Sequence, residues 1–327
     1  MKKILIIRFS SIGDIVLTSP VVRCIRQSGD VEIHFLTKTA FASIAENNPL
    51  IDRVHRMEHS IDECLPALQQ EQFDFVVDLQ NNLRSFRVRK KLDRPSSTFP
   101  KLNVRKWLYV NLKRDVMPKT HIVDRYFKAV EPLGISNDGQ GLDFFISVKD
   151  RVVPELTFGW PKEHYIALVV GAAHFTKRIP LQKLMEICER IHMPIVALGG
   201  KDDALVGERL AAAFPGKVHN ACGKCTLDQS ASVIKHAKHV ITPDTGLMHI
   251  AAAFQRPITV VWGNTTPQLG MYPYQTETPW TSAEVKDLGC RPCSKIGFNR
   301  CPKGHFKCMN LQDAQSIAAS IDSQAIS

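Results

Sequence analysis

The sequence has no long hydrophobic run. Nowhere does it offer the roughly 18 to 20 uninterrupted apolar residues that a membrane-spanning helix requires. The opening "MKKILIIRFSSIGD" begins like a secretory leader, but Arg8 cuts its apolar run short, so it reads as a buried first strand. The chain is therefore expected in the cytosol or bound at a membrane surface. Low-complexity tracts are also missing, and 44% hydrophobic with 23% charged residues is the balance of an ordinary globular protein. The first strand-to-helix turn lacks G-x-G-x-x-G, which disfavours a nicotinamide dehydrogenase. No D-x-D metal motif occurs. Without helix-turn-helix or zinc-finger spacing, a nucleic-acid binder is supported by net charge alone.

What is present is enough chain for two domains. At 327 residues the length exceeds that at which a single core stops growing, so two domains of about 150 residues each are expected. Lys and Arg outnumber Asp and Glu by 42 to 32, giving a formal charge of +10 and a pI near 9.2, which favours anionic partners. The densest basic stretch, Leu83 to Arg94, is followed by a segment in which Trp107 and Tyr109 lie among cations. It reads either as a solvated helix face or as a surface for anionic lipid.

Apolar β-rich runs alternate with helical patterns throughout, the signature of βαβ units and parallel sheets. Strands are expected at Lys3–Phe9, Val31–Thr37, Arg53–Met57 and Phe73–Leu79, with helices at Ile15–Gln27, Ile61–Gln70 and His121–Leu133. The pattern loosens between Gly139 and Tyr165, which sets the expected boundary: a first domain over 1–155, a second over 156–310, and a terminal helical segment over 311–327 that packs back across the domains. In the second half, strands are expected at Tyr165–Gly171, Pro194–Leu198, near Val218, His239–Thr242 and Pro257–Trp262. The intervening helices are expected at Pro180–Ile191, Ala204–Phe214, Thr226–Ala237 and Gly246–Phe254. "TLDQ" from Thr226 to Gln229 fits a capping box. The expected fold class is α/β, two Rossmann-like doubly wound halves.

In such sheets ligands bind beyond the carboxyl ends of the strands, where helix N-termini present N–H groups. Two loops there are unusually polar. In "SSIGD", Gly13 permits a tight turn and Asp14 opens the next helix, either as a cap or as a group facing substrate. In "TPDTGLMHIAAAF", Thr245 and Gly246 put a hydroxyl and accessible amides at a helix start, an anion site, with His249 on the same side. Asp244 suits a sugar hydroxyl better than a phosphate; the alternative is a second cap beside a surface histidine. "GAAHFTKRIP" adds Lys177 and Arg178, cations able to offset charge on a leaving diphosphate.

Together these loops resemble one family, the ADP-heptose:lipopolysaccharide heptosyltransferases of glycosyltransferase family nine. "RFSSIGDIVLTSP", "PDTGLMHIAAA" and "PITVVWGNTTP" carry the likeness, which runs over nearly the whole chain. The resemblance implies a GT-B architecture, two Rossmann-like domains facing a central cleft, with the acceptor on the first and the nucleotide sugar on the second. Asp14 then resembles the catalytic base, and Lys177 the phosphate-contacting lysine. Asp244, Thr245, Gly246, Leu247 and His249 resemble the donor loop, Ser10, Ser11 and Gly13 lie in the acceptor segment, and Asp202 or Asp203 of "GGKDDA" stands where the ribose is contacted. The implied reaction is inverting transfer of heptose from ADP-heptose to the Kdo or heptose of an inner lipopolysaccharide core, with no cofactor required and peripheral contact at the cytoplasmic face of the inner membrane. A related transferase using another nucleotide sugar and a non-catalytic binder of such precursors are the rivals.

Nine cysteines in a chain without a secretion signal are expected to be reduced. Four of them, Cys290, Cys293, Cys301 and Cys308, form a C-x2-C-x7-C-x6-C pattern near His305. One reading is a structural zinc, since four thiols can wrap that ion; others are free or redox-labile thiols and a regulatory role.

Overall fold

The computed structural model describes residues 1–323. Its compact units do not follow a single cut near residue 155. The first comprises Met1–Leu102 with Thr120–Phe145, and the second comprises Asn103–Lys119 with the chain from Ile146 onward.

The first unit carries β1 (Lys2–Ile7), α1 (Ile12–Val16), α2 (Ser19–Gln27), β2 (Val31–Lys38), α3 (Ala42–Glu46), β3 (Arg53–Met57), α4 (Leu65–Gln70), β4 (Phe75–Asp78), α5 (Leu83–Leu92) and β5 (Ser96–Thr98). The strands form one parallel sheet in the order β3-β2-β1-β4-β5. The central run "ILII" is buried on both faces, as a helix-covered parallel sheet demands. Leu5, Ile7, Leu36, Leu68, Phe73 and Val76 build a core beside it.

One helix was expected over Ile15–Gln27, but the chain forms two. Thr18 turns its hydroxyl and its N–H onto the carbonyl of Ile15, at 2.7 and 2.9 Å, which closes the first helix. Pro20 then sits in the first turn of α2, where its missing N–H leaves no bond unmade. The helix expected over His121–Leu133 likewise shortens to α7 (Ile122–Phe127), followed by a single 3-10 turn at Glu131–Leu133 that contains Pro132. Between these pieces α6 (Asn103–Leu112) belongs to the second unit.

The second unit continues with α8 (Pro154–Phe158), β6 (Ile166–Val169), α9 (Leu181–Arg190), β7 (Ile195–Leu198), α10 (Ala204–Ala213), β8 (Val218–Asn220), α11 (Leu227–Lys235), β9 (His239–Pro243), α12 (Gly246–Ala253), β10 (Ile258–Trp262), β11 (Thr281–Glu284), α13 (Lys307–Asn310) and α14 (Ala314–Ser323). Its sheet is again parallel, ordered β11-β10-β9-β6-β7-β8. The capping box at α11 forms as expected: the Thr226 hydroxyl accepts the N–H of Gln229 at 3.1 Å, and the side-chain Oε1 of Gln229 accepts that of Thr226 at 2.9 Å. α14 lies on α9, with Ile317 and Ile321 in one core with Leu184 and Ile187. The last four residues of the expected 311–327 segment lie outside the described residues. No helix of the described residues is long and apolar enough to cross a membrane.

Candidate functional site

In the first unit the polar junction follows β1. Ser11 is the N-cap of α1, and Asp14, three residues on, reaches back so that one carboxylate oxygen accepts the Ser11 N–H at 3.1 Å and its hydroxyl at 2.9 Å. The other oxygen meets Nη2 of Arg8 at 2.6 Å. Asp14 therefore helps cap the helix and also holds a specific cation, with a fifth of its side chain still accessible. Burial pushes its carboxyl up, but the Arg8 charge and the Ser11 bonds outweigh burial and hold it below the usual carboxylate range. Ser10 is half-buried, Ser11 exposed and Gly13 buried; of the expected acceptor contacts, the two serines are accessible.

Arg8 is itself fixed. Its Nη1 donates to the Leu79 carbonyl at 2.5 Å, its Nε to that of Ser10 at 3.0 Å, and its guanidinium lies 5.8 Å from the centre of the Tyr126 ring. Next to Tyr126 stands Arg125, only 3% exposed. Its Nη1 reaches the Pro100 carbonyl at 3.4 Å, while Nε and Nη2 have no hydrogen-bond partner. Burial lowers its basicity. A buried guanidinium left two-thirds unsatisfied is costly until an anion reaches it. Sequence reasoning missed Arg125, because only the folded chain shows that this cation is enclosed.

In the second unit Lys177 and Asp244 meet. Lys177 ends a 3-10 turn (Phe175–Lys177) after β6, and its Nζ lies 2.7 Å from Oδ2 of Asp244, which follows β9; the Thr265 hydroxyl donates to the same oxygen at 2.7 Å. The 174–177 segment can press against the end of β10 because residue 263 is glycine: a Cβ there would fall 2.5 Å from the Thr176 carbonyl oxygen. Thr245, Gly246 and Leu247 start α12, half-buried, and the Thr245 side chain makes no cap bond, so first-turn N–H groups remain for a ligand. His249 lies in the same turn and is buried, at 2% exposure.

Of the two ribose candidates, Asp202 is exposed and Asp203 is buried. Asp203 is spent on the backbone. It accepts the Gly200 N–H at 2.9 Å, lies 3.6 Å from Arg178, and packs so closely on Gly171 that a Cβ there would sit 2.0 Å from its oxygen.

Sequence reasoning also missed Asn264 and Thr265. Asn264 is 1% exposed, with neither amide atom hydrogen-bonded. Arg291 donates to the carbonyls of Gly263 at 2.7 Å, Val285 at 2.8 Å and Thr265 at 3.1 Å, which pins the loop that carries Asn264 and Thr265. "GNTT" stood in a stretch used only for resemblance; its chemistry becomes visible through burial.

Arg291 belongs to the cysteine-rich loop, which braces this site. Phe298 exchanges bonds with Thr176, and Cys293 N–H donates to the Asn264 carbonyl at 3.1 Å. Among the described residues, the four cysteines do not supply three ligand atoms within 4.8 Å of one another. Cys290 Sγ is 3.9 Å from His305 Nε2. Burial first, then the neighbouring thiols, pushes Cys293 up to about 11 and Cys308 up to about 12.

Two parallel-sheet Rossmann-like units, the second with a helix N-terminus and a lysine–carboxylate pair beyond its strands, have the α/β fold of the GT-B class. The model of glycosyltransferase family 9 (heptosyltransferase) matches residues 64–297, and the chain belongs to that family. Lipopolysaccharide heptosyltransferase 1 of Campylobacter coli is 24% identical over 290 residues, 80% of this chain and 84% of that protein. A family 9 glycosyl transferase from Veillonella parvula superposes with a TM-score of 0.78 at 20% identity, covering 99% of this chain and 97% of the other. ADP-heptose LPS heptosyltransferase II of E. coli does so with a TM-score of 0.69 at 21% identity, covering 99% and 100%. The chain is an enzyme, a heptosyltransferase.

Proposed function

We propose that the enzyme moves heptose from ADP-heptose onto the Kdo or heptose of an inner lipopolysaccharide core, with inversion at the anomeric carbon. The observation that carries this reading is the Lys177–Asp244–Thr265 cluster beside the open N-terminus of α12, in a chain of the heptosyltransferase family. The amides of Gly246 and Leu247 and the Lys177 ammonium take the diphosphate, and Asp244 accepts from a sugar hydroxyl. As the glycosidic bond to ADP breaks, these groups stabilise the charge that collects on the departing phosphate. No metal or cofactor is required for that neutralisation.

Asp14 takes the proton of the attacking acceptor hydroxyl. Arg8 keeps it ionised and makes it a weak base, so the proton moves late, as the new C–O bond forms. Ser10 and Ser11 orient the acceptor. Asp202, the exposed member of its pair, contacts the ribose. Nucleic acid has no part in this reading.

The acceptor is a glycolipid, and two surfaces support peripheral contact with the inner face of the cytoplasmic membrane. α5 exposes Leu83 at 73% and Phe86 at 50% among Arg84, Arg87, Lys90 and Lys91; α6 exposes Val104, Trp107 and Leu112 beside Arg105. Apolar side chains set among cations suit an anionic lipid surface. Two experiments test this. Thermal stability with ADP, ADP-heptose, UDP-glucose and GDP-mannose should rise with the first two alone; a rise with another nucleotide moves the donor. Sedimentation with vesicles should be seen with anionic and not zwitterionic lipid, and loss of that difference removes the membrane contact.

A further inference from the structure

Away from the junctions that carry Asp14 and Lys177, the first unit holds a buried pair of histidines with no part in the reaction. His34 lies in the middle of β2, paired with Leu5, and His55 lies in β3, paired with Leu36. They are 0% and 7% exposed, and His34 Nδ1 is 2.9 Å from His55 Nε2. Glu71, on the connection between α4 and β4, brings a carboxylate oxygen within 4.8 Å of both. Phe73 closes the space edge-on, 5.1 Å from the His34 ring and 6.3 Å from that of His55.

Glu32 decides what this cluster can do. Its carboxylate lies 2.8 Å from His34 Nε2, so Nε2 carries the proton and Nδ1 presents its lone pair toward His55. A carboxylate behind an imidazole, fixing its tautomer and raising its basicity, is the arrangement that recurs around protein-bound metals. The two facing nitrogens need little adjustment. Two imidazoles on one tetrahedral ion, at Zn–N of about 2.0–2.1 Å, stand roughly 3.3 Å apart.

We propose that His34 Nδ1, His55 Nε2 and Glu71 form a site for a borderline divalent transition-metal ion, with water as the remaining ligand. Binding displaces the single proton between the two imidazoles: His55 exchanges its Nε2–H tautomer for the Nδ1–H one, so both rings stay neutral and no proton is released. The surroundings select the ion. Lys3 lies 2.9 Å from Glu71 and 3.6 Å from Glu32, and Arg53 also pairs with Glu71. The carboxylates are thus already offset by cations. A hard ion that depends on carboxylate charge, such as Mg2+ or Ca2+, gains little here, whereas Zn2+, Ni2+ or Cu2+ gains from imidazole. Because β3 is the edge strand of its sheet, the ion would fasten that edge to β2 and to the α4–β4 connection.

The test uses full-length metal-stripped protein in which Cys290 and Cys293 are replaced by Ser, so that thiols do not compete. Zn2+ should raise its melting temperature and Mg2+ should not, and Co2+ should give the visible bands of a nitrogen and oxygen site without a sulfur charge-transfer band. His55→Gln, whose amide can still donate to His34, should abolish both responses. Glu71→Gln, at a more accessible position, should weaken Co2+ binding if the histidine variant does not fold. Glu32→Gln should weaken it by about 10-fold or more. Absence of any Zn2+ response in the cysteine-replaced protein, or a response that survives Glu71→Gln and Glu32→Gln unchanged, overturns the proposal.

Discussion

Lys177 Nζ and Asp244 Oδ2 lie 2.7 Å apart, joined from two different strand ends, and the Thr265 hydroxyl shares the same oxygen. The pair is mostly buried, so truncating either partner strands the other. Lys177→Ala is expected to lower kcat by about 100- to 1,000-fold, the loss typical of one group that stabilises a leaving oxyanion. Thr265→Val should raise KM for the donor with a smaller effect on kcat. Steady-state kinetics on the two variants check this; equal losses in both would place Lys177 outside the chemistry.

Asp14→Asn should lower kcat by about 100- to 10,000-fold, the range for a lost general base, while donor affinity by calorimetry stays unchanged. The Asp14 carboxyl is held low in the fold, so its ionised form persists as pH falls. The acid limb of the kcat/KM profile should therefore fall below the ordinary aspartate value of about 3.9. A limb centred well above that value would mean that another group limits the reaction.

Gly171 lies where β6 ends, and a methyl group there would meet the Asp203 carboxylate at 2.0 Å. Gly171→Ala is expected to destabilise the second unit by about 1–3 kcal/mol, the usual cost of overpacking. Asp203→Ala should relieve part of that loss in the double variant. Urea unfolding of the four proteins measures the coupling, and simple additivity would contradict it.

His239 is buried and held neutral: burial first, then Lys238, pulls its pKa from 6.5 to about 4. Its Nε2 pairs with the Thr259 hydroxyl at 2.7 Å. The unfolded chain takes up a proton near 6.5 that the folded chain refuses until about 4. Its contribution is therefore fully present above pH 6.5 and lost progressively as pH falls toward 4. The stability of the native protein relative to His239→Gln should decline through that window in equilibrium unfolding, and a flat difference would show that the imidazole titrates normally.

Much of the fold was legible because buried parallel strands read as short continuous apolar runs: "IALVV", "IVAL" and "ITVVW" needed no tertiary information. The start of α12 was legible for a related reason, since threonine and glycine between a strand and an apolar helix have few other uses. The division of Ile15–Gln27 was not, because Thr18 ends the first helix through a local bond that competes with an otherwise helical pattern. β5 and β11 escaped because three or four mostly polar residues become strands only when a sheet edge is there to pair with them. α6 was read with its basic neighbours. In the structure Tyr109 bonds Thr266 at 2.9 Å and Lys113 bonds the Pro292 carbonyl at 2.6 Å, partners more than 150 residues away in the chain. Arg125 and Asn264 were invisible for the same reason: an arginine or asparagine becomes informative when it is enclosed and its hydrogen bonds are counted.

The central claim is that this chain transfers heptose and that Asp14 drives the transfer. The most direct measurement is mass spectrometry of a Kdo-bearing lipid A acceptor after incubation with ADP-heptose and either the native enzyme or Asp14→Asn. The account predicts one heptose added by the native enzyme and almost none by the variant, with ADP-heptose stabilising both proteins against heat. Equal transfer by the two, or donor binding with no transfer by the native enzyme, would contradict it.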